Sequence, residues 1–333
     1  MSGMRIPAAL REQGIQDARV YSIPMTTRFR GIVSRDGVIL QGPAGWSEFS
    51  PFWDYGVEES AAWLRSALED AVLPRPAAVR EDVEVNVTIP VVPPVLAHRL
   101  AAVGGARTAK VKVADVSSSL AEDLERLEAV RDALGPDARI RVDANARWER
   151  DEAISVIPQL DRAAGGLEYV EQPVVTLEDL AAVRRAVDVP IAADELVRRA
   201  EDPLRVARVE AADVLVMKVQ PLGGIRRCLD LAADAGLPVV VSSALETSIG
   251  LSAGLALAAS LPELTHACGL ATGVLLTGDL VEDPLRAEGG VIPAVRPEPD
   301  PALLDAHCAP HELTARWEQR LEDCAAHAVD RTP

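Results

Sequence analysis

The stretch from Ala109 to Val219 carries five short β-rich runs: AKVKV (109–113), RIRVD (139–143), LEYVEQP (167–173), PIAAD (190–194) and VLVMKV (214–219). A charged residue stands at or near the end of each. From Lys112 to Asp143 is 31 positions, from Asp143 to Glu171 is 28, and from Glu171 to Asp194 is 23. Steps of 24 then lead from Asp194 to Lys218, to Ser242 in PVVVSS (238–243), and to His266 in LTHACGL (264–270). Intervals of this size hold one strand and one crossover helix, so the runs predict parallel strands. With VEVNVTIP (83–90) ahead of them, they number eight.

The intervening helices are also legible. Ser119 and Glu122 form a capping box, and Leu120, Leu124, Leu127, Val130 and Leu134 make an apolar stripe that stops at Gly135-Pro136. Thr176 and Asp179 open the next helix, with Leu177, Leu180 and Val183 on its inner face. The spacing from Lys112 to Asp143 is long for one unit, which predicts an extra turn near 115–118 or 135–138. Eight strands alternating with helices predict an α/β protein with a parallel (β/α) barrel. An open doubly wound sheet is the alternative, but no GxGxxG follows the first strand.

Outside this region the texture changes. Residues 1–82 read as a small α+β domain, with strand-like runs at Tyr21–Ile23, Arg30–Val33 and Val38–Gln41 and a helix near 57–71. Five of the eleven aromatic residues (Trp46, Phe49, Phe52, Trp53, Tyr55) fall within ten positions there. They suit either the small domain's own core or a lid over the barrel mouth. Residues 83–285 form the barrel, and the Pro-rich segment 286–333, with an amphipathic helix near 311–326, packs back on the cap and barrel.

Composition narrows the function. The 333 residues carry 34 basic and 51 acidic side chains, a formal charge of −17, which argues against nucleic acid or an anionic membrane as partner. No apolar run reaches the roughly 18 residues of a membrane span. The opening residues (1–20) show no secretory apolar stretch, and the four cysteines (Cys228, Cys268, Cys308, Cys324) show no CxxC pairing. Reduced thiols in a cytoplasmic protein are expected. Of the 34 basic residues only Lys110, Lys112 and Lys218 are lysine. Arginine keeps its proton at any working pH, whereas lysine can release one.

Strand C-termini converge on one mouth of a barrel, where active sites are built. Asp143, Glu171 and Asp194 end three adjacent strands and can meet around one hard cation; an all-oxygen set favours Mg²⁺ or Mn²⁺ over zinc. Lys110 and Lys112 share one face of their strand, the interior face, because Val111 and Val113 alternate outward. Lys218 lies almost opposite. Lysines flanking a carboxylate-bound metal suit removal of a proton α to a carboxylate; the plainer alternative is that they neutralise the acids.

On these residues the chain resembles the enolase superfamily, in its muconate-lactonizing branch. The motifs are KVK (110–112), DAN (143–145), VEQP (170–173), ADE (193–195) and MKVQPLGG (217–224). The resemblance implies a modified (β/α)7β TIM-type barrel behind an N-terminal α+β capping domain. It implies Asp143, Glu171 and Asp194 as metal ligands, Lys112 and Lys218 as catalytic lysines, and Lys110, Asn145 and Glu195 as their supports. Three further stretches, FRGIVSRDGVILQGPAGWSEFSPF (29–52), SSALETSIG (242–250) and ACGLATG (267–273), look like the o-succinylbenzoate synthases of menaquinone biosynthesis. That likeness implies Mg²⁺-dependent dehydration of a small carboxylate through an enediolate, with Lys112 taking the proton and Lys218 staying cationic. Ser242 and Ser243, with the backbone of Gly269 and Leu270, would then receive the succinyl tail. The rivals are an N-acylamino acid racemase or dipeptide epimerase on the same scaffold, a non-catalytic barrel used for binding, and a phosphate-binding barrel using Pro221–Gly224.

Overall fold

The computed structural model describes residues 4–29, 31–199 and 202–329. Its first unit opens with α1 (Ala8–Glu12) and an antiparallel sheet of β1 (Asp17–Phe29), β2 (Ile32–Gly42) and β3 (Gly45–Phe49), followed by α2 (Val57–Val72). The predicted runs at Arg30–Val33 and Val38–Gln41 belong to this sheet, although Arg30 itself lies outside the described residues. From Ile32 they are one strand. The polar interruption, Ser34-Arg35-Asp36-Gly37, continues the ladder against Pro24–Tyr21. It hid the strand because Arg35, only 2% exposed, is spent on internal hydrogen bonds instead of solvent.

The second unit begins with β4 (Asp82–Glu84), β5 (Val87–Ile89), α3 (Pro94–Ala102), β6 (Thr108–Lys112), α4 (Leu120–Leu134), β7 (Arg139–Asp143) and α5 (Arg150–Ala164). It continues through β8 (Leu167–Glu171), α6 (Leu177–Ala186), β9 (Ile191–Ala193), α7 (Glu195–Arg198), α8 (Arg205–Arg208), β10 (Val214–Met217), α9 (Val219–Leu222) and α10 (Ile225–Ala235). It closes with β11 (Val239–Val241) and α11 (Ser248–Ser260), after which the chain continues through β12 (Val291–Pro293), α12 (Pro301–Ala306) and α13 (His311–Val329). Strands β5 to β11 form one parallel sheet in chain order. The eighth run closes the ring through two parallel bridges, Ser242 to Gly269 and Val85 to Cys268. The architecture is therefore an α/β barrel of the TIM type with an α+β cap in front.

The local signals act as read. Glu122 N donates to the Ser119 hydroxyl at 3.3 Å and Ser119 N to the Glu122 carboxylate at 2.7 Å, closing the capping box of α4. Ahead of it, Asp115 accepts from Ser117 N at 2.9 Å in a tight turn, and Ser118 N reaches Asp115 O at 2.9 Å. This is the extra turn that lengthens the first unit; 135–138 supplies another, with Gly135 at φ +82°. The run 83–90 is not one strand, however. Residues Asp82–Glu84 pair antiparallel with Val291–Pro293, while Val87–Ile89 pair with β6 and Val85 makes a single bridge to Cys268.

Two apolar regions matter for the site. Outward residues of the barrel strands (Val111, Ile140, Val142, Val170, Met217) pack against the surrounding helices. The cap core joins Phe49, Phe52, Tyr55 and Trp63 to Trp317 and Leu321 of α13. Four of the five clustered aromatics are thus buried. Trp53 stays 40% exposed, tilted on Trp317 with ring centroids 4.8 Å apart. Among the described residues no helix is long and apolar enough to cross a membrane.

Candidate active site

Parallel pairing sets the register of the mouth. Lys112 pairs with Asp143, and Asp143 with Glu171, so three charged side chains stand level on neighbouring strands. Asp194 and Lys218 directly follow β9 and β10. In the order β5 to β11, Lys218 is four strands from Lys112, across the ring. The mouth opens into a cavity of about 780 Å³ lined by Lys110, Lys112, Asp143, Asn145, Asp194, Glu195 and Lys218, among others. Glu171 lies beneath this lining, 1% exposed.

The backbone at the mouth departs from ordinary strand geometry. Ala114, Asn145, Ala146, Gln172 and Leu245 all have φ between +40° and +65°, and each follows a barrel strand. Such conformations are uncommon for residues other than glycine and persist where the surroundings hold them. Gln172 shows how: its Oε1 accepts from Asp194 N at 3.0 Å and Leu196 N at 3.2 Å, and its Nε2 donates to Val174 O at 2.8 Å.

Every predicted lysine meets a predicted carboxylate. Lys110 Nζ bridges Glu171, at 3.1 and 3.2 Å, and Asp143, at 3.3 Å. Lys112 Nζ donates to Asp143 Oδ2 at 2.5 Å and Asn145 Oδ1 at 2.7 Å, and Lys218 Nζ pairs with Asp194 Oδ2. Burial works to lower the Lys110 ammonium, but Glu171 and Asp143 outweigh it and hold the group above its usual value. Asp143 is also buried, yet Lys112 and Lys110 keep its carboxyl well below the ordinary range. Glu171 goes the other way. Burial first, then the charge of Asp143, pushes its carboxyl up to about 7 despite Lys110.

Among the described residues no three His, Cys, Asp or Glu side chains stand as a ready metal cage, and Lys110 and Lys218 are ion-paired with Asp143 and Asp194. The donor set still fits a hard divalent cation. It is all oxygen, each carboxylate is about 1% exposed, and Glu171 carries more negative surroundings than Lys110 relieves. The neighbouring Glu195 Oε2 is buried without a hydrogen-bond partner.

Two supporting groups escaped the sequence reading. Arg198 donates from Nε to Asp194 Oδ1 at 2.9 Å and from Nη2 to Glu195 Oε1 at 2.7 Å, while Nη1 meets the Tyr55 hydroxyl of the cap. Its position four residues after Asp194 and three after Glu195 was the available signal. Phe29, at the β1–β2 turn, also lines the cavity, with its ring centroid 5.8 Å from Lys112 Nζ.

Ser242, Ser243 and Gly269 line the cavity, joined by Thr272, whose hydroxyl lies 2.5 Å from that of Ser243. Leu270, expected to contribute its backbone, packs its side chain in the barrel core against Gly254. The spacing of His266 needs correction. The 24-residue period carries it to a strand end, but the last run starts later in register, so Gly269 is the residue level with Ser242. His266 sits at the opposite end of the barrel, its Nδ1 2.8 Å from Glu168 Oε1.

Comparison with known proteins gives concordant matches. Residues 95–316 match the enolase C-terminal domain-like family and residues 20–71 the enolase N-terminal domain-like family. An o-succinylbenzoate synthase of Thermobifida fusca (strain YX) is 55% identical over 311 residues, covering 90% of this chain and 97% of that protein. Another from Mycolicibacterium smegmatis is 50% identical, covering 95% and 96%. Among solved structures, muconate lactonizing enzyme from Pseudomonas fluorescens, complexed with muconolactone, superposes with a TM-score of 0.76 at 20% identity, covering 89% and 99%. The L-Ala-D/L-Glu epimerase from Bacillus subtilis gives 0.72 at 23%, covering 90% and 98%. At these identities the structural likeness speaks for the fold.

Proposed function

The chain belongs to the enolase superfamily and, within it, to the o-succinylbenzoate synthase family, and we propose from that premise how its residues divide the work. The enzyme is a carbon–oxygen lyase that dehydrates 2-succinyl-6-hydroxy-2,4-cyclohexadiene-1-carboxylate to 2-succinylbenzoate in menaquinone biosynthesis. Members of the superfamily use a divalent metal, and we assign Mg²⁺, with Mn²⁺ as a substitute, to Asp143, Glu171 and Asp194. When bound, such a cation supplies positive charge to the substrate carboxylate as the adjacent carbon loses its proton.

Lys112 is the base. It takes the proton from the carbon bearing the carboxylate, whose electron pair becomes the new ring double bond. The C–O bond to the 6-hydroxyl breaks, and Lys112, on the same face, returns the proton so that water leaves. Lys218 stays cationic on the opposite face. It stabilises the negative charge spreading from that carbon onto the carboxylate, and it lies against the ring as a cation over a π face. Lys110 holds Asp143 and Glu171 in place, Asn145 orients Lys112, and Glu195 braces Arg198 against Asp194. The observation that carries this reading is the placement of Lys112 and Lys218 on strands four apart, facing one another over three buried carboxylates.

The four cysteines have no disulfide partners, which supports a reducing, cytoplasmic setting. The reading is tested by an ultraviolet assay of purified protein with the cyclohexadiene carboxylate. Aromatic product is expected with Mg²⁺, and EDTA is expected to abolish its formation. Turnover unaffected by EDTA would remove the metal from the reading.

A further inference from the structure

The carboxylate of Glu48, on β3 of the cap, is buried at the seam between cap and barrel and collects donors from both. Oε1 accepts from the Tyr21 hydroxyl at 2.8 Å and the Ser50 hydroxyl at 2.7 Å. Oε2 accepts from Thr247 N at 3.1 Å, the Thr247 hydroxyl at 2.5 Å and Gly250 N at 3.2 Å. Thr247 is the residue from which α11 starts. A cap side chain thus closes the N-terminus of a barrel helix, where unpaired amides favour negative charge. Gly250 permits the approach: a Cβ there would lie 2.9 Å from Glu48 Cδ and 2.6 Å from Glu246 Cβ.

Arg35, on β2, grips the segment just before that helix. Its Nε donates to Leu245 O at 2.7 Å, and its Nη2 reaches Ser50 O and, at 3.4 Å, Ala244 O. Leu245 has φ +65°, so a strained residue is the one held. Glu246 Oε2 accepts from Ala244 N at 2.7 Å, and Gln220 links Glu246 back to Ser50 N. Burying this many charged and polar groups is costly, and an apolar seam would be at least as stable. Their distinguishing property is direction. Arg35 and Glu48 fix Ala244 O, Leu245 O, the amide and hydroxyl of Thr247, and Gly250 N against the cap.

Arg35, Glu48 and Glu246 do not themselves line the cavity, but the segment they hold does, through Ser242, Ser243, Ala244 and Leu245. We propose that Arg35 and Glu48 are positioning residues for the loop that receives the substrate's acyl tail, so that tail affinity is set at the cap–barrel seam. The proposal rests on the function and tail site given above. It accounts for two unusual features together: buried charges of opposite sign on two strands of the cap sheet and a glycine inside the first turn of α11.

The test compares Arg35→Gln and Glu48→Gln with the wild type for kcat, KM, and inhibition by 2-succinylbenzoate and by benzoate, which lacks the tail. KM and the 2-succinylbenzoate inhibition constant are expected to rise about ten-fold or more, with kcat within about three-fold and benzoate unaffected. Thr247→Val, which leaves both charges in place, is expected to shift the same two constants by less, and Thr247→Ser to restore them. Unchanged constants in folded variants would overturn the proposal, as would equal losses for benzoate or a fall in kcat alone. If the Arg35 and Glu48 variants do not fold, the Thr247 pair decides. A wild type unable to convert the cyclohexadiene carboxylate would refute the function instead; the ratio of the two inhibition constants would still test the seam.

Discussion

At the scale of single residues, the chain spends charge inside the protein and the surroundings decide what each charge does. Glu48 and Glu246 are both buried at the seam, and burial raises both carboxyls, but their partners differ. Five donors surround Glu48, whereas Glu246 has Ala244 N and Gln220 Nε2 and faces the charge of Glu48, with Arg35 opposing it. Burial, then Glu48, pushes the Glu246 carboxyl up to about 7. Asp279 also faces this helix end, through Ser248 N at 3.1 Å. A raised carboxyl pKa means the folded state binds the proton more tightly than the unfolded chain. The stabilisation is full below the unfolded value and is lost as pH rises through about 7. Thermal melts of the wild type from pH 5 to 8 are therefore expected to fall across that window relative to Glu246→Gln. Parallel curves for the two proteins would contradict the assignment.

Elements carry the next level. Capping boxes, the 120–134 stripe and the strand–helix period were readable because each depends on residues close in sequence. The strand Ile32–Gly42 was only half legible, since Arg35 and Gly37 answer to partners far along the chain. A Cβ on Gly37 would meet Ser50 Cβ at 2.6 Å and the Tyr21 hydroxyl at 2.8 Å. His266 misled because a period along the chain does not report register across the closing strand. Gly250 gives a prediction of sign at this scale. Replacing a helical glycine by alanine ordinarily stabilises by about 1 kcal/mol. Here the new Cβ would press on Glu246 and Glu48, so Gly250→Ala is expected to lower the melting temperature. A higher one would show that the seam can relax.

For the molecule as a whole, the strand-end carboxylates, the lysines and the barrel were legible because they recur from strand to strand. The cap's contribution was not. Tyr55, Arg35 and Glu48 reach the barrel through tertiary contacts that leave no local pattern, and the clustered aromatics proved to be mainly core shared with α13. The central claim is that the two lysines across the mouth have different duties. It is tested most directly by measuring 2-succinylbenzoate formation, with Mg²⁺ present, by the wild type, Lys112→Ala and Lys218→Arg. Loss of the base in Lys112→Ala is expected to lower kcat by about 10²- to 10⁴-fold. Lys218→Arg, which keeps the positive charge, is expected to retain measurable dehydration. A Lys112→Ala enzyme within ten-fold of wild type would contradict the account.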